Sequence, residues 1–291
     1  MRRSLAGRVR NRLSWTVRGL RPEREVRRVV QGVELRLPWS HRLPDYARLE
    51  PAYGQNIVAL ASALATDEPL RLIDVGANVG DTALQVLAAV DGEVLCVEGD
   101  PHWLTWLRRN VGHDPRVTVH PGLLWSGDGL PDLAPVRRGG TTRFERGSAD
   151  AATVVTAVGL RAAHPAFDSV RLVKSDTDGH DVRLVPALAE AYATAAPVLF
   201  FEYDHGLSRL AGNDPLEVWP RLAALGYTEV GVWDNHGAPL GRLPLARMVE
   251  VAGALDVPRP AWDYWDVAVV HAGDGSGLAA LVEVLPEAWG S

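Results

Sequence analysis

From Leu70 to His271 the chain alternates short β-type runs with helical apolar patterns, and that alternation commits it to a sheet flanked by helices. The spacing predicts strands over residues 70–75, 93–97, 116–120, 169–174, 197–201, 228–233 and 264–271, with helices between them. Seven strands whose last pair is joined by a reversing connection imply a mostly parallel, Rossmann-like α/β sheet with one antiparallel strand and helices on both faces. Open sheets of this kind bind ligands beyond the carboxyl ends of their strands. Asp74 ends the first strand, Glu98 the second, Asp176 the fourth and Glu202 the fifth, so four carboxylates gather at that edge.

The first strand stops at Gly76-Ala77-Asn78-Val79-Gly80, and Asp81-Thr82 open the next helix. Two glycines permit a tight turn and a close backbone approach to a ligand, and the new helix presents unpaired N–H groups there. Asp74 beside this turn would repel a pyrophosphate but suit a ligand amine. Glu98 lies 24 residues later, where an acidic residue commonly takes both hydroxyls of a ribose. Together they describe a nucleoside with a ribose and a positive amine, which S-adenosylmethionine satisfies. NAD(P) is the competing ligand. Against it, the turn lacks a Gly-x-Gly opening, and Lys174 has no tyrosine four residues before it.

The rest of the chain bounds the class. Cys96 is the single cysteine, so there is neither an intrachain disulfide nor a cysteine-based zinc site, and its apolar setting marks it as a core residue. No run is long enough for a membrane span, and the basic N-terminus has no apolar segment behind it, so the expectation is a cytoplasmic protein. Residues 1–31 hold ten arginines against Glu23 and Glu25, a charge of +8 that leaves −14 for the remainder of a chain whose net charge is −6. An acidic mouth and a separate basic arm argue against nucleic acid as the partner; a small-molecule acceptor fits better, and a homo-oligomer is left open. Two regions follow: residues 1–68 as a basic arm and N-terminal cap, and 69–291 as the donor-binding domain with an insert at about 122–156. In the cap, Trp39, His41, Tyr46 and Tyr53 precede or open a helix over about 53–65 and are placed over the mouth of the main domain. The Trp262-Asp263-Tyr264-Trp265-Asp266 run reads as a loop packed on the sheet or as a stacking surface for the acceptor.

The residues Asp74 to Thr82, the Glu98-Gly99-Asp100-Pro101 turn, Asn110, and Lys174-Ser175-Asp176-Thr177-Asp178-Gly179-His180-Asp181 resemble the FkbM family of methyltransferases over about residues 70–205. The resemblance implies a class I methyltransferase fold and O-methylation of a hydroxyl, often on a sugar or polyketide in natural-product or antibiotic biosynthesis. By it, Gly76 to Gly80 cradle the methionine part of the donor and Glu98 its ribose, and the expected donor-binding residues are Asp74, Gly76, Ala77, Asn78, Gly80, Asp81, Thr82, Glu98, Gly99 and Asp100. The chain departs from the family pattern at Thr177-Asp178, where Val-Glu is usual. Carboxylates crowded at one mouth are costly unless a cation shares them, so a hard divalent ion such as Mg²⁺ is expected on Asp176, Glu202 and Asp204. Asp176, His180 and His205 are the candidate catalytic residues, with either histidine as base. Blander roles stand beside these: an ion pair of Asp176 with Lys174, an N-cap at Asp178, and polar loop histidines. Transfer to nitrogen or carbon, and a non-catalytic donor-binding homologue, are the alternative functions.

Overall fold

The computed structural model describes residues 21–65, 68–127, 133–138, 140–146, 153–257 and 264–290. The first twenty residues of the basic arm, and Trp262 and Asp263, lie outside these. The end of the expected arm is a strand. Glu25–Val30 (β1) pairs antiparallel with Val33–Pro38 (β2). Gln31 and Gly32 make the two-residue turn with φ of 46° and 90°, the left-handed geometry that matches strand twist in tight hairpins. Leu35 and Leu37 alternate inward, and they pack with Trp103 and Trp106. Two helices complete the cap, Leu43–Leu49 (α1) and Gln55–Leu64 (α2).

The central layer begins with Leu70–Val75 (β3), Asp81–Ala89 (α3), Gly92–Glu98 (β4), Pro101–Val111 (α4) and Val117–Pro121 (β5). Pro101 stands at the first turn of α4, where its missing N–H costs nothing, and the Asp100 carboxylate caps the helix by accepting from the His102 N–H at 2.8 Å. The insert then forms a short strand Leu123–Leu124 (β6), a hairpin of Leu133–Arg138 (β7) and Thr141–Arg146 (β8), and Val154–Val155 (β9). The hairpin does not join residues 141–144 to 153–156. Instead 141–146 pairs with 133–138, and β9 pairs in parallel with β6.

After Ala157–Ala163 (α5) come Leu172–Ser175 (β10), Asp181–Ala191 (α6), Val198–Tyr203 (β11), His205–Leu210 (α7) and Val218–Ala224 (α8). Tyr227–Asp234 (β12), Pro239–Pro244 (β13), Met248–Val251 (α9), Trp265–His271 (β14) and Gly275–Val284 (α10) finish the chain. One sheet of eight strands has the order β13-β12-β14-β11-β10-β3-β4-β5. β14 runs antiparallel between β11 and β12, and the neighbours from β11 to β5 are parallel. Leaving aside the edge strand β13, the strands read 3-2-1-4-5-7-6, the class I methyltransferase order. β13 is the one sheet strand beyond the expected seven. At the β12 end Asp234 Oδ1 accepts from the His236 and Ala238 N–H groups, both at 2.8 Å, and the chain doubles back. Pro239, Gly241 and Pro244 hide the strand from any alternation test.

Period-2 alternation puts Ile73, Val75, Leu95, Val173 and Phe201 into one core and Leu72, Cys96, Leu172 and Phe200 into the other. Helices α5, α6 and α8 pack with the first core; α2, α3 and α10 cover the second. Among the described residues no helix is long and apolar enough to cross a membrane.

Candidate functional site

A deep cleft opens at the carboxyl ends of β3, β4, β10 and β11. Gly76, Ala77, Asn78, Asp81, Thr82, Glu98 and Gly99 line one side, and Asp176, His180 and Glu202 the other. The cap and the insert wall it: His41, Tyr46 and Tyr53 come from the first, and Gly140, Thr142 and Phe144 from the second. Of the residues expected at the site, Asp74, Gly80, Asp100, Asp204 and His205 are not among those lining it.

On the donor side, Gly76 has φ of 75° and so little room that a side chain would collide with the Asp176 carbonyl. The first turn and the end of β10 therefore touch, which is the close approach glycine permits. Gly80 (φ 83°) has a packing role: an added Cβ would press on Leu107 and Val111 at 2.8 Å. Glu98 closes β4 with both oxygens engaged, Oε2 accepting from the Asn78 N–H at 2.8 Å and Oε1 from the Asp100 N–H at 2.7 Å. Each carboxylate oxygen has two lone pairs, so each keeps one for a ligand hydroxyl. Burial pushes the Glu98 pKa up to about 7, against the pull of those two N–H donors. Asp81, at the first turn of α3, is raised to about 6 by burial, with Lys174 working the other way.

Asp100 corrects the sequence reading. Its carboxylate has no solvent exposure and takes four hydrogen bonds, from Arg137 Nε and Nη2, Thr142 Oγ1 and the His102 N–H. Asp74 is likewise internal. The β3–β10 register sets Lys174 beside it, and Lys174 Nζ lies 2.9 Å from Asp74 Oδ1, 3.9 Å from Asp176 Oδ2 and 3.3 Å from the Gly76 carbonyl oxygen. A carboxylate so paired is not presented to a ligand amine; the ammonium of the chain's single lysine stands between it and the cleft. Burial works against that ammonium, but Asp74 and Asp176 hold its pKa above the ordinary lysine value.

On the far side the cleft is acidic. The Asp176 side chain is half open, at 51% exposure. Enclosure raises its pKa, Lys174 lowers it, and Asp181 and Asp74 add to the rise. Glu202 faces Asp266 across the antiparallel β11–β14 pair. Burial first, then the neighbouring carboxylates, push Glu202 well above its usual range, and Asp266 is raised to about 7. Asp178, with φ of 51°, lines the cleft and is raised to about 7 by burial. Asp181 organises this loop from within, accepting from Ser175 Oγ at 2.6 Å and Thr177 Oγ1 at 2.8 Å. His180 sits at the start of α6 beside Trp125, and burial lowers its pKa, so the imidazole is neutral near pH 7.

Two expected residues belong to other duties. Asp204 caps α7 by accepting from the Leu207 N–H at 2.7 Å. His205 is 2% exposed and lies between Asp256 Oδ1 and the Tyr203 hydroxyl, each at 2.9 Å, with Trp219 Nε1 donating to the same hydroxyl. β11 ends one residue after Glu202, at Tyr203, which packs in the first core, and Asp204 and His205 then open α7. The metal set expected on Asp176, Glu202 and Asp204 is thus not brought together, and among the described residues no group of three or more acidic, histidine or cysteine side chains is placed to hold an ion.

Sequence reading missed Asn56 and Asp266, which share a 2.7 Å hydrogen bond in the cleft wall, and it left Tyr264 undecided. The Trp-rich run carried the only signal. Tyr264 and Asp266 face the cleft while Trp265 between them packs on Tyr203 and Trp289, the alternation of a strand.

No protein-family model matches this chain, and no curated protein matches it in sequence. Solved structures similar to it include a precorrin-6y C5,15-methyltransferase from Geobacter metallireducens, at 12% identity over 75% of this chain and 87% of that one, TM-score 0.37. An O-methyltransferase from Bacillus cereus in complex with SAH gives 13% identity over 76% and 80%, TM-score 0.38. The tRNA (uracil-54, C5)-methyltransferase of Pyrococcus abyssi, in complex with S-adenosyl-L-homocysteine, gives 12% over 85% and 44%, TM-score 0.43. The fold class rests on the strand order rather than on these likenesses.

Proposed function

We propose that this protein is an S-adenosylmethionine-dependent O-methyltransferase of the FkbM type, acting on a hydroxyl of a small molecule, with a sugar of a secondary metabolite as the favoured acceptor. The observation that carries the reading is Glu98: a buried carboxylate at the end of the second strand, oriented by two backbone N–H groups, with one free lone pair per oxygen at a cleft wall. That is a receptor for the two hydroxyls of a ribose. Gly76 to Asn78, Asp81 and Thr82 extend the wall toward the methionine part, where the acidic surroundings suit a sulfonium and an amine. Trp125 adds a buried indole N–H without a hydrogen-bond partner in the same wall, a donor suited to a ring nitrogen.

The donor supplies a methyl group on a positively charged sulfur. The chain's own part is to bring the acceptor oxygen into line and take its proton. His180, in the cleft wall and kept neutral by burial, is the group assigned to take that proton. Asp176 and the raised Glu202 hold neighbouring hydroxyls by hydrogen bonds, and Tyr53 and Tyr264 line the same cleft as surfaces for the acceptor. Asp204, the third residue expected on an ion, serves as the N-cap of α7.

Calorimetry tests the donor: S-adenosylhomocysteine should bind the wild type and lose about tenfold or more with Glu98→Ala, the scale of charge-assisted hydrogen bonds. Tight NADH binding with no homocysteine-analogue binding would overturn the assignment. Mass spectrometry of glycosylated metabolites incubated with the donor tests the acceptor, a gain of one methyl group on a sugar oxygen being the expected product.

A further inference from the structure

The two backbone amides that orient Glu98 belong to Asn78 and Asp100, and the side chains of those same residues hold the β7–β8 hairpin. Asn78 Nδ2 donates to the Gly140 carbonyl oxygen at 2.7 Å, at the hairpin's turn. Asp100 receives Arg137 through two bonds of 2.6 Å and Thr142 Oγ1 through a third of 2.6 Å, one from each strand of the hairpin. Trp103 Nε1 donates to that same Thr142 oxygen at 2.8 Å, fixing the clasp from α4. Asn78 is in the left-handed region at φ 49°, a conformation an asparagine tolerates when its side chain is tied down. The hairpin also forms one wall of the cleft.

We infer that the β7–β8 hairpin is a donor strap, and that Arg137 is a positioning residue which, through Asp100, fixes Glu98 in its ribose-binding orientation. The inference rests on the donor assignment for its ligand, though its geometry stands without one. A bidentate guanidinium on a carboxylate fixes direction as well as distance. With Arg137 in place, the Asp100 main chain is pinned from outside and its N–H points at Glu98 Oε1. Without it, the clasp keeps only Thr142 and the His102 amide, and the turn that carries Glu98 gains freedom. The Arg137 side chain is 45% exposed while Asp100 is wholly buried, so Arg137 is open to substitution without disturbing a core.

The test uses the full chain with Arg137→Gln, Arg137→Lys and Thr142→Val. Amide hydrogen exchange without ligand should quicken by about tenfold at Asn78 and Asp100 in Arg137→Gln, the scale of one charge-assisted hydrogen bond. The amides of Gly76 and Ala77, which donate to the Val97 carbonyl oxygen instead, should not change and serve as the internal control. S-adenosylhomocysteine should leave Arg137→Gln about tenfold faster than wild type, with Arg137→Lys and Thr142→Val between them. The 2′-deoxy analogue, which offers Glu98 one hydroxyl fewer, should show a smaller difference between wild type and Arg137→Gln. Equal losses for both ligands would show general loosening and overturn the link to Glu98. Unchanged exchange at Asn78 and Asp100, or unchanged dissociation, would overturn the strap. If the wild type binds no homocysteine analogue, the donor reading falls, and the exchange measurement still decides the strap.

Discussion

A carboxyl with a pKa of about 7 is roughly one-tenth ionised at pH 6 and roughly nine-tenths ionised at pH 8. Glu98 is such a group, because burial raises it against the pull of the Asn78 and Asp100 amides. Two ribose hydroxyls donate to a carboxylate more strongly than to a neutral acid, so the donor selects the ionised form. The sign follows: affinity for S-adenosylhomocysteine should rise as pH goes up through 7, by about tenfold between pH 6 and pH 8, and level off above. Below pH 7 binding should release close to one proton from this site. Isothermal titration at pH 6, 7 and 8, repeated in buffers of different ionisation enthalpy, gives both the affinity and the proton count. Asp81 is raised to about 6 in the same cleft and adds its own part, so the decisive comparison is with Glu98→Gln, which removes the titrating group. A pH dependence of the same size in Glu98→Gln would refute the reasoning, as would a flat wild-type profile.

Replacing Lys174 by Met leaves Asp74 buried without its cation, and stability measured by urea should fall by about 3–5 kcal/mol; adding Asp74→Asn should recover much of it, and a loss under about 1 kcal/mol would deny the pair its structural weight. His180→Ala should lower methyl transfer by about 10²–10⁴-fold while homocysteine-analogue affinity stays within a few fold, and an unchanged rate would remove it as the base. His205→Ala should behave in the opposite way. Its loss breaks the Asp256–His205–Tyr203 chain and should cost about 1–3 kcal/mol, with the transfer rate of the folded protein retained; a hundredfold fall in that rate would return it to the chemistry.

Strand ends were legible in the sequence because an acidic residue just after a β-type run, at a known distance from a glycine turn, has few structural reasons to be there; Glu98, Asp176 and Glu202 all reach the cleft. Asp74 shared that signature, but its fate depends on a neighbour a hundred positions away, placed beside it by the β3–β10 register. Asp204 and His205 were grouped with Glu202 because they are adjacent in sequence. The strand ends at Tyr203 and the chain turns into α7, with Asp204 as its N-cap and His205 as its first residue, so adjacency in sequence did not carry over into space. Asp266 joins the site only through antiparallel pairing with Glu202, a register no local pattern encodes. The same holds for Arg137, whose partner in α4's cap belongs to a different layer.

The β3–β10 seam, inside the sheet, is also its longest-range strand pairing. β3, β4 and β5 follow one another over residues 70–121 with only helices between them, so this half can form early from local contacts. Its β3 edge stays bare until β10 arrives, and the loop that must close runs from Asp74 to Lys174. Until then a carboxylate destined for the interior stays in water without its Lys174 partner. Joining the two halves is therefore the natural slow step of folding. The cleft lies across this seam, so the binding surface comes into being only when the last long loop has closed and the single lysine has found its place.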